Sequence, residues 1–421
     1  MPAISLPEAA TWAIAALSTA GVIIRPWRLP EAVWAVLGGV ALVAFSLVPW
    51  RDALDAAGRG WDVYLFLTGM MLLAELARQE GVFDWLATHA AGFADGSPER
   101  LFALIFGVGT LVTVFLSNDA TAVVLTPAVY AVTRAVKATP LPYLFICAFI
   151  ANAASFVLPI SNPANLVVFG SHMPALGEWL LRFGLPSLLA IAATYVALRL
   201  TQRASLRQPI AREVPMAELT RAGKVAGWGI IVAALVLVTA SALGLPLGWP
   251  TFAAGGVTVA LVLLFERRAP WGLLKHVSWS VLPLVAGLFV LVEGLINTGV
   301  IAALAGMLHD AAAESAGRAA WIAGILTAIA CNLMNNLPAG LIAGSLVRIG
   351  ELPNEVANAL LIAVDLGPNL SVTGSLATIL WLVALRREGQ EVGAWRFLKV
   401  GTVVTIPALV LALGAAILFG R

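Results

Sequence analysis

Ser117-Asn118-Asp119-Ala120-Thr121 interrupts an apolar stretch that runs from residue 101 to residue 137. As one unbroken helix that stretch would reach about 55 Å at 1.5 Å per residue, against roughly 30 Å of bilayer hydrocarbon. It must break or fold back, and the polar cluster marks the place. The runs 319–350 and 355–386 are too long in the same way. The first contains Asn332-Leu333-Met334-Asn335-Asn336-Leu337-Pro338, the second Gly367-Pro368-Asn369-Leu370-Ser371-Val372-Thr373-Gly374-Ser375. A fourth cluster, Ser161-Asn162-Pro163-Ala164-Asn165, lies between two apolar arms and reads as the tip of a re-entrant hairpin. A break inside lipid strands backbone N–H and C=O groups, which is tolerated only where protein or a water-filled cavity satisfies them. Secondary transporters build their substrate sites from such breaks.

Composition places the rest of the chain in lipid as well. It is 60% hydrophobic and 11% charged, with a mean hydropathy of +0.93; soluble domains carry roughly 25% charged residues. A net charge of +2 gives no footing for nucleic acid. Cys147 and Cys331 both lie in apolar segments, so neither a disulfide framework nor a CxxC metal spacing is present. No basic residue precedes the run 9–24, which reads as a first transmembrane helix rather than a cleaved signal peptide. With no GxxxxGK[ST] string, ATP hydrolysis by this chain is not expected, and no cofactor or metal is implied.

The remaining runs of spanning length are 31–49, 61–78, 141–158, 175–198, 225–243, 250–265, 278–298 and 398–419, so the expected fold is an all-α polytopic membrane protein. The connector 199–224 carries Arg199, Arg203, Arg207, Arg212, Arg221 and Lys224 against Glu213 and Glu218. The positive-inside rule puts it in the cytoplasm. Glu266-Arg267-Arg268 with Lys275, and Arg25 with Arg28, fit the same side if the N-terminus is periplasmic. The linker divides the chain into a first membrane repeat, 1–198, and a second, 225–421.

Aligning 69–86 with 287–304 (287 − 69 = 218) matches Gly69 with Gly287, Leu73 with Leu291, Glu75 with Glu293, Gly81 with Gly299, Val82 with Val300 and Leu86 with Leu304. The register carries on to Asn118 and Asn335 (335 − 118 = 217). With 61–78 running inward and 278–298 outward, the repeat is expected to be inverted, a common transporter plan.

Asp119 is the sole ionisable residue between Arg100 and Arg134, and Asp365 the sole one between Glu355 and Arg386. A charge at mid-bilayer costs about 2.5–3.5 kcal/mol on the mildest scale, so such residues face a cavity or a partner. Asp119 is equally suited to cap the half-helix that follows it. Asn118, Asn162, Asn165, Asn332, Asn335, Asn336 and Asn369 supply amides at the breaks, and Ser117, Thr121, Ser161, Thr373 and Ser375 hydroxyls. Their competing role is to satisfy freed backbone. Glu75 has Arg78 one turn away, which predicts a structural ion pair, whereas Glu293 has no cation near it in sequence and joins Asp119 and Asp365 as a proton-coupling candidate. His172 reads as structural, and Trp50, Trp61, Trp249 and Trp271 as interfacial anchors.

The strings 115–127, 160–169, 331–340 and 365–381 together resemble the arsenite efflux permeases (ArsB family), a branch of an ion-transporter superfamily that also holds sodium–proton antiporters and dicarboxylate carriers. The resemblance implies proton-driven export of arsenite and antimonite across the bacterial inner membrane. It further implies a scaffold part and a transport part with two re-entrant hairpins, a cytoplasmic arsenite-stimulated ATPase as partner, and the homodimer found in many superfamily members. Arsenite at neutral pH is mostly As(OH)₃, which needs donors and acceptors and no fixed charge. A trigonal thiolate site needs three cysteines and the chain has two. The four clusters contain no Arg or Lys. Sodium–proton exchange or anion transport remains the alternative.

Overall fold

The computed structural model describes residues 5–212, 214 and 216–420, and among them it is helical with no strand. Glu213 of the linker lies outside the described residues, as does the side chain of Arg28. Seven helices are long and apolar enough to cross a bilayer, among them Leu6–Ile24, Pro98–Phe115, Leu176–Gln202 and Ala394–Phe419. Two bent pairs add to these: Trp50–Arg59 with Trp61–Gln79, and Val281–Asn297 with Val300–Glu314. Trp50, Trp61 and Trp271 each open a helix and are exposed, as is Trp249, the second residue of Gly248–Glu266.

From residue 61 the second half reproduces the helix order of the first. Trp61–Gln79, Val82–Ala94 and Pro98–Phe115 are followed by a π-helical turn, Ala120–Leu125, leading into Thr126–Ala135. Val281–Asn297, Val300–Glu314, Ala316–Met334 and Asn336–Gly350 answer them. Serine starts the third helix in both sets: Ser97 accepts from the amide of Arg100, and Ser315 from that of Arg318. Leu141–Ala153 and Asn354–Leu366 have 13 residues each. Packing crosses between the halves: Trp61–Gln79 lies on Gly248–Glu266, Val281–Asn297 on Glu31–Ala44, and Leu176–Gln202 on Ala394–Phe419.

Segment 98–135 folds back on itself. The Tyr143 hydroxyl donates to Pro98 O at 3.2 Å, the Ala211 amide to Val136 O at 2.8 Å, and Arg212 lies 3.9 Å from Asp95. Both ends of the segment therefore meet the linker, and its tip is at 116–119. Segment 316–350 breaks in the same way at Asn335, and its far end is held where His309 Nδ1 lies 2.9 Å from Gly350 O. The cluster at 161–165 corrects the expectation of a hairpin tip. Trp179 Nε1 donates to Phe156 O at 3.1 Å, Phe169 packs on Trp179, and Phe102 touches both Tyr143 and Tyr195. Leu141–Ala153 and Pro163–Phe169 thus run on past one another's ends along Leu176–Gln202 as one interrupted span.

Candidate substrate site

Four helical segments begin at the centre of the molecule, each where a break has just released backbone groups. In the first tip, Ser117 Oγ accepts from Ala120 N at 3.1 Å and Asn118 Oδ1 from Asp119 N at 2.9 Å. Thr121 Oγ1 lies 2.8 Å from Thr113 Oγ1 and joins the two arms of the hairpin. In the second break, Asn162 caps Pro163–Phe169 by accepting from Ala164 N at 3.0 Å. Ser161 donates to Val114 O, and Asn165 Nδ2 faces the carbonyls of Ser155, Leu158 and Pro159 at 3.0–3.3 Å. Those last contacts are the bonds a broken helix in lipid must find.

The second half is built alike. Asn335 caps Asn336–Gly350 through Leu337 N at 3.3 Å and donates to Thr373 O at 3.4 Å. Asn332 Nδ2 donates to Ala328 O and Gly367 O, and its Oδ1 accepts from Ser371. Thr373 donates to Asn332 O at 3.2 Å. Ser375 caps Leu376–Arg387 through Thr378 N at 3.1 Å. Asn369 Nδ2 donates to Phe149 O, and its Oδ1 accepts from Asn152 at 2.9 Å. Asn152 is a site residue that the sequence reading missed.

Asn335 holds φ 77° and ψ 155°, backbone space open to glycine and costing other residues about 1–3 kcal/mol. Asn335→Gly is expected to melt above Asn335→Ala in detergent by a margin of about 1–3 kcal/mol. Equal melting of the two variants would mean that the tip relaxes without strain.

A small central cavity of about 20 Å³ is lined by Asn118, Asp119, Asn162 and Asn336, with the helix starts Pro163 and Leu376 beside them. Asn336 Oδ1 is buried without a hydrogen-bond partner. A vestibule of about 540 Å³ reaches Ser117, Asp119 and Pro163 from the face of the linker, passing Arg78, His276 and Arg387. A second one, of about 410 Å³, enters from the opposite face and stops at Leu166, Leu341 and Ser345. Leu67, Asp119, Pro163 and Val281 line both the central cavity and the first vestibule, so the centre opens one way. No Arg or Lys lines the central cavity, and among the described residues Asp119 has no ion-pair partner.

Of the sequence candidates, the structure gathers Asn118, Asp119, Asn162 and Asn336 at the cavity and puts Ser117 at its mouth. Thr121, Ser161, Asn165, Asn332, Asn335, Asn369, Thr373 and Ser375 are hydrogen-bonded to backbone and neighbouring side chains and stand outside the lining of this cavity. Glu75 pairs with Arg78 at 2.6 and 2.8 Å, as its spacing predicts. Glu293, without a cation near it in sequence, pairs with Arg59 at the far vestibule, 234 residues away in the chain. Asp365 is fully buried behind Asn162, whose Nδ2 donates to its Oδ1 at 2.6 Å. Cys147 and Cys331 are buried and free. No group of three or more His, Cys, Asp or Glu that would hold a metal occurs among the described residues.

Interrupted helices that converge on a mid-chain cavity with a vestibule on either side define a multi-pass membrane transporter, not an enzyme. The chain belongs to the citrate transporter family (CitMHS), whose model matches residues 19–366. It is 28% identical over 416 residues to the arsenical pump membrane protein of Escherichia coli (strain K12), covering 96% of this chain and 97% of that one. An uncharacterized transporter of Mycobacterium tuberculosis (strain ATCC 25618 / H37Rv) is 26% identical, with 95% and 96% covered. The solved YdaH transporter of Alcanivorax borkumensis shares the fold at a TM-score of 0.59 and 14% identity, over 92% of this chain and 97% of that one.

Proposed function

We propose that this protein exports arsenite, and antimonite with it, as the neutral trihydroxide in exchange for protons across the bacterial inner membrane. One observation carries the reading: four helical segments, two from each half, begin at a single cavity whose polar lining is three amides and one carboxyl. Amides offer both donors and acceptors to a small polyhydroxyl, and a cavity without Arg or Lys places no fixed cation before it. The similarity to the arsenical pump proteins supports the same solute. Asp119 meets both the cavity and the vestibule, which supports taking it as the group that exchanges a proton. In this reading the two halves are inverted repeats, the linker is cytoplasmic, and the open vestibule faces inward.

Everted vesicles are expected to accumulate arsenite when energised and to lose it on addition of a protonophore. Excess citrate is the informative competitor, because the family is described as citrate transporters. Citrate or sodium movement without arsenite movement would overturn the reading.

The double variant Cys147→Ser, Cys331→Ser is expected to keep transport within about threefold of the parent. Both thiols are buried away from the cavity lining and touch backbone carbonyls that a hydroxyl can serve equally, Tyr143 O and Ala363 O. Complete loss would instead point to a thiol mechanism.

A further inference from the structure

Two helices of 13 residues end in nine-residue breaks, and the fit between them is residue for residue. Asn152 and Asp365 are each the penultimate residue of their helix (365 − 152 = 213). Asn162 and Ser375 are each the N-cap of the helix beyond the break (375 − 162 = 213). The contacts run crosswise. Asp365 of the second half takes the Asn162 amide of the first at 2.6 Å. Asn152 of the first half donates to Ser375 Oγ of the second at 3.4 Å and to Asn369 Oδ1 at 2.9 Å. Equivalent positions thus clasp the two interrupted spans at two points. Only one of them carries a group that can lose a proton.

That group stands behind the solute cavity, and Asn162 stands between them. Its Oδ1 caps Ala164 N, its Nδ2 goes to Asp365, and its side chain lines the cavity. Asp365 Oδ2 is buried with no partner within strict hydrogen-bond geometry, and the Ser155 hydroxyl, which donates to Asn152 O, is the other polar side chain beside the carboxyl. Among the described residues Asp365 has no ion-pair partner. The charged residues of the helices packed around Asn354–Leu366 stand near helix ends: Arg318 pairs with Glu314, Arg348 bonds Ser345, Lys399 lies over Trp395, and Arg396 opens the last helix. The other titratable groups on the packed helices are Cys331, whose Sγ lies 3.8 Å from Ala363 O, and Tyr143 and Cys147 of Leu141–Ala153, while Asp119 lines the cavity itself.

We propose that Asp365 is a proton-binding positioning residue that makes proton and solute exclude one another through Asn162, with Asn152 as its permanently neutral counterpart. Ionised, Asp365 accepts from the Asn162 amide and holds that side chain in its cavity-lining pose. When it gains a proton the charge-assisted bond becomes an ordinary neutral one, the hold on Asn162 slackens, and the neutral solute loses part of one partner's grip. An exporter driven by proton entry needs this opposition, since a proton bound on the outer side must expel the solute. The inference rests on the cavity being the arsenite site.

The test measures arsenite affinity of purified protein from about pH 8 to about pH 5.5, where the solute stays uncharged, together with infrared difference spectra of carboxyl protonation. The parent is expected to bind arsenite about tenfold more weakly at the acid end, within the usual range of coupling between sites. Asp365→Asn, whose neutral amide resembles the protonated acid, is expected to bind arsenite at high pH about as weakly as the parent does at the acid end, to show little further pH dependence, and to lose one protonated-carboxyl band. Moving the acid to its counterpart, in Asn152→Asp with Asp365→Asn, is expected not to restore the pH dependence, because position 152 reaches Asn369 and Ser375 and not Asn162; restoration would overturn the route through Asn162. An unchanged pH profile together with an unchanged set of carboxyl bands in Asp365→Asn would overturn the proposal while leaving arsenite export standing. Absence of arsenite binding to the parent at every pH, with the Asp365 band still titrating, would remove the solute assignment instead.

Discussion

Asp119→Asn vesicles are expected to equilibrate arsenite without concentrating it. One proton entering per neutral solute expelled moves one charge, worth about 2.3 kcal/mol per 100 mV, which sustains roughly a fifty-fold gradient. An amide in place of the carboxyl keeps the size and polarity of the cavity wall and removes the proton it can carry. The accumulation ratio should therefore fall from roughly fifty to about one at that potential, while downhill flux persists. The environment is what makes the residue decisive: it touches both the central cavity and the open vestibule and, among the described residues, has no ion-pair partner. Gradients equal to those of the parent would rule out its part in coupling.

Gly69→Val is expected to remove folded protein altogether. A Cβ at Gly69 would stand 2.3 Å from Thr251 O, and one at Gly255 2.6 Å from Gly69 O, so these two helices touch backbone to backbone. Close helix contact through small residues is how membrane helices gain packing energy without a hydrophobic drive. Gly287, the repeat partner of Gly69, meets Ala35 C at 2.6 Å in the same way. Overpacking costs about 1–3 kcal/mol where side chains can yield. Here backbone obstructs, so about 3 kcal/mol or more is expected at Gly69 and again at Gly287. Gly256→Val is the control, because nothing lies within 4 Å of its Cβ position. Size-exclusion profiles of fluorescent fusions would separate the two outcomes, and a normal peak for Gly69→Val would refute the close crossing.

The places where the spans break could be read from residues, because clustered Asn, Ser and Pro inside an apolar run are costly in lipid unless the helix stops there. Which break reverses the chain and which merely interrupts it could not. Residues 116–119 and 161–165 are alike in polar composition. The difference lies in where the flanking helices end: Val136 beside Ala211 for the first, Phe169 beside Trp179 for the second. Pairings within one helical turn were visible, as for Glu75 and Arg78, while the Arg59 partner of Glu293 was hidden by 234 residues of separation. Most of the amides proved to hold backbone because their neighbours have carbonyls with no helix to join. Asn152 escaped notice for the opposite reason: it ends an apolar helix with no Gly or Pro in the last turn to flag a break.

The meeting of helix starts at the cavity has a bearing on how tightly the membrane stays sealed. Asn336–Gly350 and Leu376–Arg387 both present their amino-terminal, partially positive ends there. A machine that runs on a proton gradient is short-circuited by any passage through which hydronium leaks unaccompanied. Positive dipole ends raise the barrier to bare cations and leave an uncharged hydroxylated molecule unaffected. If export is driven by protons as proposed, hydrogen ions would then cross only as passengers on a carboxyl, and the same ends that admit the cargo would keep the battery from draining between turnovers.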